Sequence, residues 1–256
     1  DNDIQIINNL RDQVQSLKEM WTGRTPAGIP MVPDELTEAA FYGREDVAAL
    51  LDEGKVPLGL DLETVEPVTW DLKKGNLLYL TDKEEQMTQF VKQIARSKQK
   101  VIVLAPAYNE LPEMEGVTIL STKEDYVAGI KTMEENIQLR LEHQKSQHEA
   151  TIVLYNQLEL MNDLSMDLQS SLNYVLEKGA RAGYATVAMS GSQLNRKIDE
   201  VSKSIKLYKQ AIVAMRITDQ SVLNVINRPV REEPLDSQVN YYVEDGFVRK
   251  VKVLMK

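Results

Sequence analysis

Residues Gly75 to Thr88 read GNLLYLTDKEEQMT, and the fold is decided here. A short apolar run, Leu77-Leu78-Tyr79-Leu80, stops at Thr81-Asp82. A helical pattern then runs from about Lys83 to about Ala95. Strand, tight turn, helix is the layout of a phosphate-binding P-loop. Written against G-x-x-x-x-G-K-[S/T], Thr81 takes the first Gly, Gln86 the second and Met87 the Lys, while Thr88 matches as it stands. The frame is that of the loop, but the chemistry is not. Glycines let backbone wrap around phosphate and the Lys reaches its oxygens, and both are missing. Asp82, Glu84 and Glu85 instead put carboxylates where a polyanion would sit.

A helix start still offers bare N–H groups and a positive dipole end. Thr81-x-x-Glu84 and Asp82-x-x-Glu85 both read as capping boxes, so the protein's own side chains are expected to satisfy those donors. An ordinary strand–helix unit that never bound phosphate is the other reading of this stretch.

Working outward, β-rich VPLGLD and EPVTWD lead into the loop, as strands Val56–Leu60 and Pro67–Asp71. Val101–Ala105, Thr151–Tyr155, Ala185–Met189 and Ala211–Met215 are further short apolar runs, and Val117–Leu120 is another. Continuous apolar runs suit strands of a parallel sheet covered on both faces. Helical patterns fall between them, at 45–51, 123–148, 165–182, 198–206 and 218–226. Leu164, Leu168, Leu172 and Val175 share one side of the 165–182 segment. The chain closes on alternating Val239, Tyr241, Val243, then Asp245-Gly246, then Val251, Val253, Met255; Asp-Gly between alternating runs marks a hairpin. The expected fold class is therefore α/β, a mostly parallel sheet flanked by helices with a C-terminal β-hairpin.

Upstream, Ile4, Ile7, Leu10, Val14 and Leu17 form one amphipathic helix over 4–20, and Gly23–Pro33 holds three prolines and two glycines. This divides the chain into a helix and linker at 1–30, attached to a preceding module, and a domain at 31–256. The helix could form a coiled-coil seam, but its length favours packing on its own domain.

Ligands of such sheets bind at the C-terminal ends of strands. The candidate site residues there are Thr81, Asp82, Lys83, Glu84, Glu85, Gln86, Met87 and Thr88, with Asn156, Gln157 and Ser190. In a working P-loop ATPase the second of these strands carries an acidic residue for Mg²⁺ and often a catalytic Glu. Asn156 and Gln157 are amides, which hydrogen-bond but neither neutralise a cation nor act as a base. Loop and second strand thus depart from the active pattern at what read as independent positions.

The 256 residues carry a formal net charge of -9 and no cysteine, with 43% hydrophobic residues. That excludes disulfides and a thiolate metal site, fits a reducing compartment and speaks against nucleic acid as a partner. His143 and His148, five apart on the 123–148 helix, fall off a common face, so no metal site is expected. No apolar run approaches the roughly 20 residues of a membrane span, and no signal peptide is expected. The chain opens on Asp1 with no Met, as an excised fragment would.

Taken in order, VPLGLDLETVEPVTWDL (Val56–Leu72) and GNLLYLTDKEEQMT resemble the approach to the nucleotide loop in FtsK/SpoIIIE-type ATPases. TIVLYNQLELM (Thr151–Met161) resembles their second motif, with Asn156-Gln157 in the acidic places. EKGARAGYATVAMSGS (Glu177–Ser192) resembles the strand ending in their polar sensor, with Ser190-Gly191 in the sensor place. The closing GFVRKVKVLMK looks like the hairpin of the last ATPase module of EssC/EccC proteins, the membrane-anchored motors of type VII secretion. The resemblance covers roughly residues 31–256 and is closest to the EssC side.

It implies a RecA/FtsK-like P-loop NTPase fold on the cytoplasmic side of the membrane, reaching the membrane only through an anchor elsewhere in the full protein. It implies secreted proteins and adjacent ATPase modules of the same chain as partners, in a ring oligomer. The expected role is recognition of secreted proteins, with no catalytic residue and no cofactor; ATP and Mg²⁺ enter only if the degenerate site still binds them. An active ATPase module, a DNA translocase and a passive structural module are the alternatives, the -9 charge counting against DNA.

Overall fold

The computed structural model describes residues 2–20, 31–72, 75–226, 228 and 231–254. They fall into two compact units, Asp1–Met31 and Val32–Lys256. The first holds helix α1 (Asn2–Met20), whose Ile7, Leu10, Val14 and Leu17 stripe is exposed. The linker expected at 23–33 lies mostly outside the described residues.

In the second unit, α2 (Glu38–Tyr42) and α3 (Glu45–Asp52) precede strands β1 (Val56–Asp61), β2 (Pro67–Trp70) and β3 (Leu77–Leu80). Helix α4 (Glu84–Ala95) and strands β4 (Val101–Leu104) and β5 (Val117–Leu120) follow. Next come α5 (Lys123–Glu142), β6 (Ala150–Leu154), α6 (Gln157–Asp163), α7 (Met166–Lys178) and β7 (Tyr184–Ser190). The described chain ends with α8 (Glu200–Ile205), β8 (Gln210–Val213), β9 (Val239–Glu244) and β10 (Phe247–Lys252).

The ten strands of the described residues form one sheet, in the order β2-β1-β10-β9-β8-β3-β7-β6-β4-β5. Six of them, β8-β3-β7-β6-β4-β5, run parallel. The hairpin β9–β10 extends this sheet antiparallel from β8 and joins it to β1, which pairs with β2. At the hairpin tip Asp245 (φ 49°) and Gly246 (φ 86°) are both left-handed, as a tight turn of this hand requires.

β3 lies between β7 and β8 with every residue buried, which explains its apolar run. Alternate side chains enter two cores. Leu78 and Leu80 pack with α5 and α7 residues such as Ile130, Leu172 and Val175. Leu77 and Tyr79 pack with Met87, Phe90 and Val91 of α4, where the Tyr79 and Phe90 rings stack 4.7 Å apart.

Two expected helices are shorter in the fold. The 123–148 segment ends at Glu142, and Gln144 turns through φ 53°. Arg140 holds the reversal: it donates to the carbonyls of Ala182 and Gln147 and to the Glu149 carboxylate. His148 therefore lies beyond the helix. In the 218–226 segment only a short 3₁₀ turn, Ile217–Asp219, forms. The buried Gln220 explains this, because its Oε1 accepts from the backbone N–H groups of Val222 and Leu223 that a helix would have used. Two helices, α2 and α6, have no counterpart in the sequence reading. Met255 lies outside the described residues.

Candidate functional site

Sheet order brings the C-terminal ends of β3, β7 and β6 side by side, and the three stretches singled out in the sequence meet there. Thr81 is fully buried; its N–H donates to Ser190 O (2.9 Å). Its hydroxyl accepts from Lys83 N (3.1 Å) and donates to Gln86 Oε1 (2.5 Å). Only Thr81-Asp82-Lys83 separates β3 from α4, so Glu84–Gln86, which fall inside the loop frame, are already helical.

The capping boxes do not form. Lys83 is the N-cap of α4 and makes no side-chain cap bond. The Thr81 hydroxyl is too early in the chain and ties the loop to itself. Asp82 turns the other way, its Oδ1 accepting from Ser192 N at 2.8 Å, across to the loop after β7. A Cβ on Gly191 would stand 2.6 Å from that oxygen, so glycine there leaves room for the Asp82 contact.

Glu84 faces the end of β6. Its Oε1 accepts from Asn156 Nδ2 and its Oε2 from Asn109 Nδ2, each at 3.2 Å. Asn156 Nδ2 also reaches the Tyr108 hydroxyl at 3.1 Å. Asn156 is left-handed (φ 45°, ψ 58°) at the tip of β6, a conformation Asn tolerates better than most residues. The Thr88 hydroxyl lies 2.8 Å from the Tyr155 hydroxyl and donates to Glu84 O at 3.1 Å. Tyr155 OH lies 3.2 Å from the same carbonyl, so the two hydroxyl protons are shared among three contacts. Burial raises the Tyr155 phenol above its usual pKa although the Thr88 bond opposes the shift, so it stays protonated.

Beneath this layer lies a buried polar relay. Ser190 Oγ donates to Gln157 Oε1 and Gln157 Nε2 to Ser202 Oγ, both at 3.1 Å. All three residues are fully buried, which explains why an amide rather than a charge is held there.

Thr81, Asp82, Glu84, Thr88, Asn156, Gln157 and Ser190 thus form one contiguous cluster. Met87 is elsewhere, buried in the core with Phe90. Lys83 and Gln86, tied to the cluster through the Thr81 hydroxyl, and Glu85 also border a cavity of about 240 Å³ between α4 and the hairpin strands, whose wall includes Tyr79 and Phe90. Sequence reading missed Tyr108, Asn109, Tyr155, Ser192 and Ser202. The apolar run places Tyr155 at the end of its strand, but nothing in the sequence marks its hydroxyl as a partner of Thr88. Among the described residues no group of three or more His, Asp or Glu converges as a metal site, and no helix is long and apolar enough to cross a membrane.

No family model matches the chain. The type VII secretion system protein EssC of Staphylococcus aureus (strain MRSA252) is 25% identical over 96% of this chain and 17% of its own length. The ESX secretion system protein YukB of Bacillus subtilis (strain 168) is 28% identical over 99% of this chain and 18% of its own. This chain is a homologue of the EssC/EccC proteins of type VII secretion. It spans less than a fifth of the length of these relatives.

Solved EssC and EccC structures share the P-loop ATPase fold. ATPases 2 and 3 of Geobacillus thermodenitrificans EssC superpose with a TM-score of 0.80 at 19% identity, covering 98% of this chain and 50% of that one. The cytoplasmic domain of an EssC gives 0.75 at 19% identity, over 99% and 54%. Thermomonospora curvata EccC (ATPases 2 and 3), in complex with a signal sequence peptide, gives 0.66 at 16% identity, over 95% and 47%.

Proposed function

We propose that this EssC/EccC homologue is a substrate-recognition and coupling module of a type VII secretion motor, acting by binding secreted proteins and not by hydrolysing ATP. The observation that carries this is the early start of α4. Glu84, Glu85 and Gln86 are helical where a phosphate cradle needs open backbone. The other requirements of Mg²⁺ and ATP are equally unmet by these residues. Met87 sits in the core in the Lys position, the Thr88 hydroxyl is engaged by Tyr155 and Glu84, and an amide stands where Mg²⁺ needs a carboxylate. A fold kept without its chemistry is free to serve an interface, because fold and function are separable.

Support for the partner comes from the related EccC, whose ATPases 2 and 3 are held with a signal sequence peptide. In this reading the secreted protein presents an extended or helical segment to an apolar groove. The cavity beside α4, lined by Leu58, Tyr79 and Phe90 together with Gln86, Gln89 and Gln93, has room in this reading for a side chain of that segment. The residues at 1–30 would come from a preceding module and 31–256 would form this one. The module would work on the cytoplasmic side of the membrane, beside neighbouring ATPase modules in a ring.

Two measurements test this. Calorimetry with Mg²⁺ and ATP should show no binding at micromolar concentration, and micromolar affinity would remove the inactive reading. Secreted proteins should be captured by the full motor and lost when this module is deleted. Unchanged capture and secretion after deletion would leave only a passive structural role.

A further inference from the structure

Glu84 at the start of α4 and Asn156 two residues beyond β6 look in sequence like two separate losses. In the fold they are one contact. A carboxylate only accepts hydrogen bonds, and an amide NH₂ offers two donors. Asn156 directs its NH₂ to Glu84 Oε1 and the Tyr108 hydroxyl. Asn109 directs its own to Glu84 Oε2, leaving its buried Oδ1 without a partner. An aspartate in place of Asn156 would set a second carboxylate against Glu84 at hydrogen-bond distance, so the acid of an active second motif would repel this glutamate where the amide binds it.

The three residues come from three places: Glu84 from the start of α4, Asn109 from the segment after β4, and Asn156 from the tip of β6. Two further ties close the same corner, Ala107 N to Asp163 Oδ2 (2.9 Å) and Tyr155 OH to Glu84 O.

We infer that Glu84 is a tethered anion, clasped by Asn109 and Asn156, that locks the α4, β4 and β6 corner of the module in one fixed state whatever nucleotide is present. The inference rests on the reading that this is not a nucleotide site, and adds how that site is held. A P-loop corner is ordinarily organised by an exchangeable phosphate at the helix N-terminus. Here the anion is part of the chain, so it cannot leave, and the corner does not switch.

The test is a donor–acceptor swap in the intact chain. Asn156→Asp is near-isosteric and suits the left-handed backbone, and it should lower the thermal midpoint by about 2–4 °C for a chain of this length. It should also speed hydrogen exchange of the Glu84–Thr88 amides several-fold. Glu84→Gln combined with Asn156→Asp should restore both, because the new amide donates to the new carboxylate while its oxygen still faces Asn109. Asn109→Ala, a milder lesion, should speed the same exchange.

Simple additivity in the double variant, or an Asn156→Asp protein indistinguishable from the parent, overturns the clasp. Mg²⁺ with ATP should leave the exchange of these amides unchanged. An additive swap with ATP-silent exchange removes the clasp alone. Protection of these amides by ATP removes both the clasp and the inactive-site reading.

Discussion

The Asp82 carboxylate accepts a hydrogen bond from Ser192 N at 2.8 Å, and a Cβ on the intervening Gly191 would come within 2.6 Å of the same oxygen. The loop after β3 and the loop after β7 are therefore joined by a contact that depends on glycine. Asp82→Ala should cost about 0.5–1.5 kcal/mol, the net contribution of one such bond. Gly191→Ala should cost a similar amount by displacing Asp82, and very little once the Asp82 carboxylate has been removed. Urea melts of the two single variants and the double would show this, and full additivity would mean the loops are not coupled.

Met87→Lys restores the missing lysine of the loop frame but should not restore nucleotide binding. Its side chain is packed with Tyr79 and Phe90 in the α4 core, so the new ammonium must be buried or must force its way out. The expected loss is roughly 2 kcal/mol or more, whereas Met87→Leu should cost under about 1.5 kcal/mol. Melts rank the two variants, and calorimetry with ATP should stay silent for both.

Gly59 tests how the hairpin is held. A Cβ there would lie 2.2 Å from Lys252 O and 2.7 Å from Val251 Cγ1, on the strand paired with β1. Backbone cannot step aside as a side chain can, so Gly59→Ala should cost about 1–3 kcal/mol by overpacking. A melt unchanged from the parent would place β10 less tightly on β1 than the fold implies.

Elements buried on both faces were the ones legible in the sequence. β3, β6 and β7 announce themselves as apolar runs because neither face meets water. Asp245-Gly246 fixes its hairpin through local backbone preference alone. What local pattern cannot carry is where that hairpin goes: its position between β8 and β1 depends on pairings far along the chain. The segment at 218–226 had helical spacing, yet one buried glutamine claimed the backbone donors first. At the candidate site the stretches singled out in the sequence do lie together, but their bonds were not legible. Thr81 and Asp82 fit a local capping motif, while Asp82 finds its partner 110 positions away and Glu84 finds Asn156 at a separation of 72.

Thr88 separates the proposed inactive reading from that of an active ATPase. In a working loop its hydroxyl would bind Mg²⁺. Here it lies against Tyr155 OH and donates to Glu84 O. Thr88→Val keeps the shape and removes those contacts. It should cost about 0.5–1.5 kcal/mol of stability, and Tyr155→Phe should cost a comparable amount. The two should be less than additive, since each removes one side of the same contact. Neither should alter ATP turnover, which should already stand at the level of a protein-free blank. Hydrolysis by the parent chain that disappears in Thr88→Val would reverse the conclusion and make this an ATPase with unusual residues.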